Sequence, residues 1–505
     1  MPASSSFFNR SKTFLWATLA AILIVGLVVR FYDLKDAPLD FHSTRQMHSV
    51  LIARGMYYAS LSSAPSWQRE LAVHQWQNEG LIEPQVMERI TALSYVLAGR
   101  EYLWLARIWS ILFWLLGAAA LALLAKMIAG WDAAVIAWLY LLVLPYGALA
   151  SRSFQPDPLL TALISAALWR STCWLKQPTW KNALLAGITA GLAIYIKSVA
   201  VFFVGSALAA AVLTWKKPQA LLRDRQVWLV AALAVMPYIL FHLYGVYIDG
   251  RLEGQFALRF FPQLWLDPAF YLRWAGMIDS TAGFSLFLAA VIGFLLIPEK
   301  NHRALLLGAL VGYVLYGFAL PFHTITHDYY QLPLLPLVAL GLGMAAAVVF
   351  AKIRAGRWVA VPVILSVLLV YMGIRGWDTR VTLKRQDFSQ EVKFWQTLGN
   401  QIGHDKRVVG LMQDYGYRLA YWGWVDTAAW MSGSDFNLRA LAGQTQDLKA
   451  LFLDAVKDRD YFVITVFGEL EDQPELKKML GENFSIAAET SDYLLYDLKK
   501  PLEKR

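Results

Sequence analysis

A succession of long apolar segments, separated by short polar breaks, limits the fold of this chain more than any other feature. A helix rises ~1.5 Å per residue, so about 17 apolar residues are enough to cross a bilayer. We place about eleven apolar segments, at residues 13–29, 103–124, 133–150, 158–175, 183–196, 198–213, 227–247, 280–297, 304–320, 332–350 and 358–374. Two of them, 183–196 and 198–213, are short and could be tilted, or could form a hairpin whose turn does not reach the full outer surface. Only 16% of the 505 residues are charged, against about 25% in soluble domains. The pattern predicts a polytopic α-helical membrane protein.

The positive charges between these segments favour one orientation, because Lys and Arg are enriched in cytoplasmic loops. Arg10 and Lys12 precede the first segment, and the breaks near residues 126, 181, 217, 303 and 352 carry further basic residues on the same side. The first segment lacks an A-x-A-like site, so we expect an uncleaved anchor. We therefore predict a multi-pass plasma-membrane protein. Its net charge of +9 lies in these loops, so we expect no nucleic-acid partner.

Two regions lie outside the apolar segments and are expected on the outer face. Residues 30–101 contain two apolar helical stripes, which predict two helices lying in the membrane interface, with a surface loop around Trp67, Trp76 and Gly80 between them. The outer loop 248–279 is rich in Phe, Trp and Arg and predicts a lid or an interfacial helix. The region 30–101 is assigned to a transmembrane domain, 1–377.

The remainder, 378–505, has the composition of a soluble fold. Buried strands are expected at 407–412, 461–467 and 493–498, and helices at 388–398, 447–456 and 474–480. This alternation predicts a small extracytoplasmic α/β domain. Cys173 is the single cysteine, so an intrachain disulfide cannot contribute to its stability.

Polar residues at outward turns are the candidates for chemistry, because polar groups at membrane depth are costly and usually functional. Asp40, His42 and Arg45 directly follow the first segment. The acid could accept a proton, and the basic side chains could hold an anion. Alternatively, Asp40 caps a helix that begins near Ser43.

The next two outward turns carry Arg152 with Asp157, and Lys197. Asp157 precedes a proline, which is typical of a capped helix start; it could instead orient groups in a shared cavity or hold a metal. Lys197 stands alone between two apolar runs. It could extend to the membrane surface or serve as a point charge for a phosphate.

A further outward turn, at 321–330, contains His323, His327, Tyr329 and Tyr330. An aromatic belt would explain the tyrosines but not the histidines. The His-x3-His spacing in a loop is weak evidence for a metal site.

In their order and outward placement, these residues resemble the membrane glycosyltransferases of the GT-C fold that use polyprenyl-phosphate sugars. The similarity is greatest to the protein O-mannosyltransferases and the bacterial aminoarabinose transferase that modifies lipid A. It covers about residues 13–350. The motifs are Asp40 after the first segment, GRE at 99–101 with LARI at 105–108, SR at 151–152 with DPLLT at 157–161, GLAIYIK at 191–197, and HDYYQLPLLP at 327–336.

The resemblance implies an inverting glycosyltransferase with Asp40 as general base. A lipid phosphate leaves without being protonated, so one carboxylate is enough, whereas a glycosidase needs two. The expected partners are a polyprenyl-phosphate-linked sugar, the bilayer, and an acceptor hydroxyl on a protein, lipid or glycan. The residues expected to bind substrate are Lys197, Arg152, His327, Asp157, Tyr329, Tyr330, His42, Arg45 and Arg107.

Phe41 stands where the family often has a second acid. We therefore expect that no metal or other cofactor is required, with a divalent metal as the alternative.

Two other functions are consistent with basic outward turns. A transporter or flippase for a lipid-linked or anionic substrate would usually show similarly interrupted helices in two halves, and the sequence shows no such pair. A non-catalytic assembly protein that displays the C-terminal part would leave unexplained why Asp40, Asp157 and His327 all face one side.

Overall fold

A computed structural model describes residues 6–252, 257–353 and 357–502, and its contacts divide the chain into two compact units. The first unit comprises the chain up to Leu34, Gly80–Val86 and Arg107–Gln386. The second comprises Lys35–Glu79, Met87–Ala106 and the chain from Asp387 onward. Composition alone separates the chain at residue 377, whereas the contacts join most of the outer segment 30–101 to the C-terminal part.

The helices are numbered in chain order. The first twelve are α1 (Lys12–Phe31), α2 (Ser43–Ser60), α3 (Ser66–Asn78), α4 (Val86–Ala98), α5 (Leu103–Ala129), α6 (Trp131–Val143), α7 (Pro145–Ala150), α8 (Asp157–Lys176), α9 (Trp180–Ile196), α10 (Ser206–Trp215), α11 (Pro218–Leu222) and α12 (Arg225–Tyr247). The others are α13 (Pro268–Ala282), α14 (Phe284–Leu295), α15 (Lys300–Ala319), α16 (Pro321–Thr326), α17 (Leu334–Ile353), α18 (Arg357–Arg385), α19 (Ser389–Ile402), α20 (Tyr417–Trp422), α21 (Gly433–Leu441), α22 (Leu448–Val456), α23 (Phe467–Glu471) and α24 (Pro474–Asn483).

The first unit has the helices of a multi-pass membrane protein. In the described part of the chain, α1, α5, α12, α15 and α17 are long and apolar enough to cross a bilayer, and the bent pair α13–α14 counts as a sixth span if taken together. The remaining predicted segments fall on shorter, broken or more polar helices, so the number of spans, about eleven, stays a prediction. The segment 133–150 is broken at Leu144, before Pro145, because proline cannot donate the helical hydrogen bond.

The outer surface of several of these helices is apolar, as a lipid environment requires. On α12, Leu240 is 59% exposed and Trp228 is 57% exposed. On α5, Leu116 is 57% exposed. Such side chains gain nothing from water, so their exposure supports a lipid-facing position.

Small residues allow the helices to approach closely inside the unit. Gly293 of α14 faces Gly341 of α17, and a Cβ atom added at either glycine would overlap the backbone of the other helix. This backbone contact is typical of membrane helix packing, in which van der Waals contact replaces the hydrophobic effect.

The second unit contains a mixed sheet. Within the described residues its strands are β1 (Arg407–Leu411), β2 (Asp426–Ala429), β3 (Tyr461–Ile464), β4 (Phe484–Glu489) and β5 (Leu494–Pro501), in the order β2-β1-β3-β5-β4. The first three strands are parallel, and β5 is antiparallel to β3 and β4. Phe462, Val409 and Ile464 are fully buried in its core. The predicted strands correspond to β1, β3 and β5, while β2 and β4 were not predicted.

The outer helices α2 and α3 pack together and against α20 in this unit. The predicted surface loop around Trp67 and Trp76 is wrong, because both residues belong to helix α3. Gln75 of α3 donates to the carbonyl oxygens of Ala420 (3.2 Å) and Val425 (3.1 Å). By contrast, α4 exposes an apolar row, with Leu97 90% exposed, as expected of an interfacial helix.

The outer loop 248–279 also contains a helix, although its residues 253–256 lie outside the described part. Leu266 is 89% exposed and Leu272, on α13, is 75% exposed. Helix α13 bends by 87° into the apolar α14. Of the two predicted alternatives, the exposed apolar side chains favour an interfacial helix.

Candidate active site

A buried ion-pair cluster in the first unit joins residues from three separate segments. Lys197, at the C-terminal end of α9, donates from Nζ to Oδ1 (3.0 Å) and Oδ2 (3.2 Å) of Asp157. The same Nζ atom lies 3.7 Å from Oε1 of Glu83. The Asp157 side chain is 2% exposed and the Lys197 side chain is 11% exposed. Lys197 therefore points into the protein and does not extend to the membrane surface.

This pairing also decides between the two interpretations of Asp157. The N-cap position of α8 belongs to Pro156, and Asp157 is the first helical residue. Its carboxylate accepts hydrogen bonds from Lys197, and the negative charge at the helix N-terminus is favourable. Asp157 thus contributes a buried charge to the cluster and is not the helix cap.

The tyrosines of the turn 321–330 line the same cluster. Tyr329 and Tyr330 lie in a 3₁₀ turn, Asp328–Gln331, and are 8% and 7% exposed. Lys197 Nζ is 5.2 Å from the ring centroid of Tyr329 and 5.7 Å from that of Tyr330, within cation–π range. Their burial argues against an aromatic belt at the membrane surface.

Two histidines stack beside these tyrosines. The rings of His323 and His327 lie 5.6 Å apart, and His323 stacks on Tyr330 at 5.3 Å. Burial, with His327, Arg259 and Lys197 nearby, lowers the pKa of His323 to about 3. His323 is therefore neutral at physiological pH. Residues 6–252, 257–353 and 357–502 contain no group of three or more His, Cys, Asp or Glu side chains that could hold a metal ion.

Arg152 and Arg107 hold the chain where it leaves α1. Arg152 donates from Nη1 to the carbonyl oxygen of Tyr32 (2.6 Å) and from Nη2 to that of Asp33 (2.7 Å). Arg107 donates from Nη1 to the carbonyl oxygen of Leu34 (3.4 Å). Both arginines are 1% exposed. These contacts give each a structural role, and substrate binding by either stays a prediction.

A third arginine, Arg30, begins the outer segment 30–101 that the sequence predicts. It is instead a fully buried residue of α1. Its guanidinium donates to Ser151 Oγ (2.8 Å) and to the carbonyl oxygens of Gly26 (2.8 Å) and Leu142 (2.7 Å). Arg30 therefore ties α1 to the turn that leads to Asp157.

Asp40, His42 and Arg45 belong to the second unit. Asp40 is 9% exposed, and its Oδ1 atom accepts from Nε2 of Gln46 at 3.4 Å. Gln46 Nε2 also donates to the carbonyl oxygen of Phe41 (2.8 Å). The N-cap position of α2 is held by His42, with φ 46°. Asp40 therefore does not cap α2, and Arg45 lies in the first turn of that helix.

The structure thus brings together Asp157, Lys197, Tyr329 and Tyr330, with His327 beside them, in the first unit. Asp40, His42 and Arg45 form a separate group in the second unit. Sequence reasoning missed Glu83, Arg259 and Gln46 as site residues. Glu83 is followed by a proline between two helices, which is a weak signal. The other two had no local signal that separated them from ordinary polar residues.

Comparison with known proteins finds one family model and several solved structures that are similar to this chain. Residues 83–244 match the family described as dolichyl-phosphate-mannose-protein mannosyltransferase. ArnT from Cupriavidus metallidurans, bound to undecaprenyl phosphate, has a TM-score of 0.58 at 14% identity, over 97% of this chain and 98% of that one. The Archaeoglobus fulgidus oligosaccharyltransferase, in complex with Zn and sulfate, has a TM-score of 0.58 at 12% identity, over 96% of this chain and 74% of that one. No curated protein matches the chain significantly by sequence.

The chain has the GT-C fold. The fold predicted from the sequence, a polytopic helical membrane protein with a small C-terminal α/β domain, is therefore confirmed. The segment that matches the mannosyltransferase family begins at Glu83 and continues into α12. It therefore contains all three members of the Lys197 ion-pair cluster. The Lys197 cluster in the first unit and the Asp40 group in the second unit are each a candidate for chemistry.

Proposed function

We propose that this chain is an inverting glycosyltransferase that moves a sugar from a polyprenyl-phosphate carrier to an acceptor hydroxyl on the outer face of the plasma membrane. One observation carries the proposal: the chain matches ArnT bound to undecaprenyl phosphate over 97% of its own length and 98% of that chain. A match of this extent includes both the membrane helices and the C-terminal sheet. The acceptor is a hydroxyl on a protein, lipid or glycan.

Asp40 acts as the general base. Its carboxylate takes the proton from the acceptor hydroxyl while that oxygen attacks the anomeric carbon. The bond from the anomeric carbon to the phosphate oxygen breaks on the opposite face, so the configuration inverts. The lipid phosphate leaves as an anion, which needs no proton from the protein. Gln46 supports this role because its Nε2 contacts the Asp40 carboxylate at 3.4 Å.

Lys197 stabilises the negative charge that develops on the departing phosphate. Its ammonium is already held by Asp157 and Glu83, so the positive charge is in place before the substrate arrives. Preorganised charge of this kind, in a site that excludes water, is usually the largest contribution to catalysis. Asp157 orients Lys197, and Tyr329 and Tyr330 line the site around its ammonium. His327 and Arg152 are secondary candidates for the phosphate, and His42, Arg45 and Arg107 for the substrate.

The test is to incubate the purified protein with a panel of undecaprenyl-phosphate-linked hexoses and pentoses, using extracted envelope lipids, glycans and proteins as acceptors. Release of undecaprenyl phosphate is measured by chromatography. We expect release with at least one donor, and inversion at the anomeric carbon of the product. A flippase would move the intact lipid without releasing its phosphate. Release from none of the donors would contradict the proposal.

Asp40→Asn tests the base. General bases contribute about 10²–10⁴-fold, so the variant should lose at least about a hundredfold in rate while still inserting into membranes. Asp33→Asn is the matched control, because Asp33 is an exposed acid with φ 50°, a conformation that Asn tolerates. An Asp40→Asn enzyme with full activity would exclude Asp40 as the base.

EDTA tests the proposal that no metal is required. Transfer should continue in EDTA at the rate seen without it. Inhibition that a divalent ion reverses would instead give Asp40, Asp157 or His327 a role as metal ligand.

A further inference from the structure

We propose that the C-terminal part of the chain positions the catalytic base, with Asp414 as the positioning residue. This inference rests on the proposed function of Asp40. The role of the C-terminal part is not evident from its sequence pattern, which shows a small α/β fold. All the contacts described below lie within the second unit, which contains both Asp40 and the C-terminal sheet.

Asp414 binds the start of α2. Its Oδ1 atom accepts hydrogen bonds from Ser43 Oγ and Thr44 Oγ1, each at 2.7 Å. Ser43 and Thr44 are the first two residues of α2 and follow Asp40 by three and four positions. The Asp414 side chain is 7% exposed. Hydrogen bonds to an ionised carboxylate are short and roughly twice as strong as neutral ones, so this contact fixes the helix start.

Asp414 is itself held in place by charged partners. Its Oδ2 atom accepts from Arg418 Nε at 2.6 Å. Arg418 Nη1 donates to Glu391 Oε2 at 2.9 Å, and the same oxygen accepts from Trp395 Nε1 at 2.9 Å. The carboxylate that binds α2 is therefore the end of a hydrogen-bonded chain anchored on α19.

The backbone at Asp414 is unusual and supports a specific role. Asp414, Tyr415 and Gly416 have φ values of 51°, 57° and 86°. Two consecutive non-glycine residues in the left-handed region are unfavourable, and such conformations persist where the surrounding structure holds them, often at functional sites. Here the conformation aims the Asp414 carboxylate at Ser43 and Thr44.

The loop that carries Asp414 directly follows strand β1, and its position in the sheet supports the same role. Strand β1 lies between β2 and β3, and the three strands are parallel. After β1 the chain forms β2 on one side of it and then crosses to form β3 on the other side. Open α/β sheets bind ligands at the carboxyl ends of strands at such a reversal. In this chain, Gln413 Nε2 bridges to the carbonyl oxygen of Thr465 (3.0 Å), and the adjacent Asp414 binds the chain's own hydroxyls. We infer that α2 takes the place of a ligand.

A second contact holds the other side of Asp40. The backbone N–H of Phe388 donates to the two carboxylate oxygens of Asp36 at 3.3 and 3.2 Å. Asp36 precedes Asp40 by four positions. The short segment that carries the base is therefore attached to the C-terminal part on both sides, while Gln46 of α2 contacts the Asp40 carboxylate directly.

Loss of the Asp414 contact should reduce the rate of the chemical step. A misplacement of about 1 Å can cost ~10²-fold in rate. The double variant Ser43→Ala/Thr44→Val removes both hydroxyls and keeps Asp414 with Arg418. We expect kcat to fall about 10–100-fold, with the KM for the undecaprenyl-phosphate-linked donor changed less than about twofold, because both hydroxyls already donate to Asp414.

The experiment compares that double variant, its two single variants, and Asp414→Gly, which removes the carboxylate from a conformation that glycine adopts readily. Tyr417→Phe is the matched control, because it removes a hydrogen bond of the same kind, from Tyr417 Oη to Glu79 Oε2 (2.9 Å), at the end of α3. Hydrogen exchange of the amides of residues 41–46 is measured in each full-length protein, together with kcat and KM.

We expect at least a tenfold rise in exchange at residues 41–46 in the double variant and in Asp414→Gly, and wild-type exchange there in Tyr417→Phe. Combining the double variant with Asp414→Gly should raise exchange at residues 41–46 little beyond the rise in either protein alone. Unchanged exchange at residues 41–46, or full kcat in the double variant while Asp40→Asn is inactive, would overturn the positioning role alone. Full activity of Asp40→Asn would instead overturn the proposed function of Asp40. If the double variant does not fold, the single variants give the same comparison.

Discussion

The ion pair between Lys197 and Asp157 makes the strongest quantitative prediction. In Lys197→Met, the Asp157 carboxylate would remain buried, with 2% of the side chain exposed, after losing a donor at 3.0 and 3.2 Å. Removing one partner of a buried pair costs about 3–5 kcal/mol, because the remaining charge is uncompensated. Glu83 would also lose its contact with Lys197 Nζ at 3.7 Å. We therefore expect the free energy of unfolding to fall by about 4 kcal/mol.

The double variant Asp157→Asn/Lys197→Met separates stability from function. Removing both charges of a buried pair is often close to neutral. The remaining cost is the loss of the contacts that Lys197 Nζ makes with the Tyr329 ring and with Glu83, about 1–2 kcal/mol together. The double variant should therefore be more stable than the single one by about 2 kcal/mol or more. It should still lack transferase activity, because the charge near the phosphate is gone.

The assay is reversible unfolding in mixed micelles, followed by circular dichroism as SDS is added, in parallel with undecaprenyl phosphate release. Lys181→Met is the matched control, because Lys181 is an exposed lysine at the start of α9, the helix that ends at Lys197; it should change stability by less than about 0.5 kcal/mol. A loss below about 1 kcal/mol in Lys197→Met, or a double variant less stable than the single one, would refute the reasoning about this pair.

Three further predictions concern other parts of the chain. Burial raises the pKa of Glu79 to about 7, against the lowering effect of the Tyr417 hydroxyl; its ordinary value is 4.5. The folded state therefore binds a proton at Glu79 more tightly than the unfolded state does. The protonated side chain contributes about 3 kcal/mol to the free energy of unfolding below pH 4.5, and this contribution is lost as the pH rises through 7. The free energy of unfolding should fall between pH 5 and pH 8 in the wild type, and it should fall less in Glu79→Gln. An equal fall in the two proteins would contradict the raised pKa of Glu79. Phe462→Ala should destabilise the sheet by about 3–5 kcal/mol, because Phe462 is fully buried. The control Leu453→Ala changes a residue that is 59% exposed and should cost less than about 1 kcal/mol. Similar denaturation midpoints for the two variants would contradict the burial of Phe462 in the core. Gly293→Leu should disrupt the packing of α14 on α17 and reduce the yield of folded protein in detergent, measured by size-exclusion chromatography. Gly276→Leu is the control, because a Cβ atom added there meets nothing within 4 Å, and it should leave the yield unchanged. A normal yield of Gly293→Leu would refute the close contact between the two helices.

Much of the architecture follows from local patterns in the sequence. The length of the apolar segments predicted helices at each proposed membrane span, and the pattern of buried strands predicted β1, β3 and β5. The misses have a physical reason. Strand β2 has a partly exposed pattern, and half of the residues of β4 are exposed, so neither shows the buried run that identifies a strand. Helix α3 is largely polar and buries only Ala72 and Gln75, so it was taken for a loop.

The candidate site was predictable only as a set of residues. The rule that polar groups at membrane depth are functional selected Asp157, Lys197, Tyr329 and Tyr330, which the structure then brings together. It could not show that Lys197 is paired with Asp157 and Glu83. It also could not show that Arg152 binds the carbonyl oxygens of Tyr32 and Asp33.

The sequence by itself determined that this chain spans a membrane many times, that an acid follows its first span, and that its C-terminal part is a small α/β fold. These conclusions depend on periodicity and charge over neighbouring residues, which a linear pattern records. Only the tertiary structure decided that Lys197 meets Asp157, and that Ser43 meets Asp414, 371 positions away. Such pairs depend on how distant segments pack, because a carboxylate or hydroxyl carries no local mark of its partner.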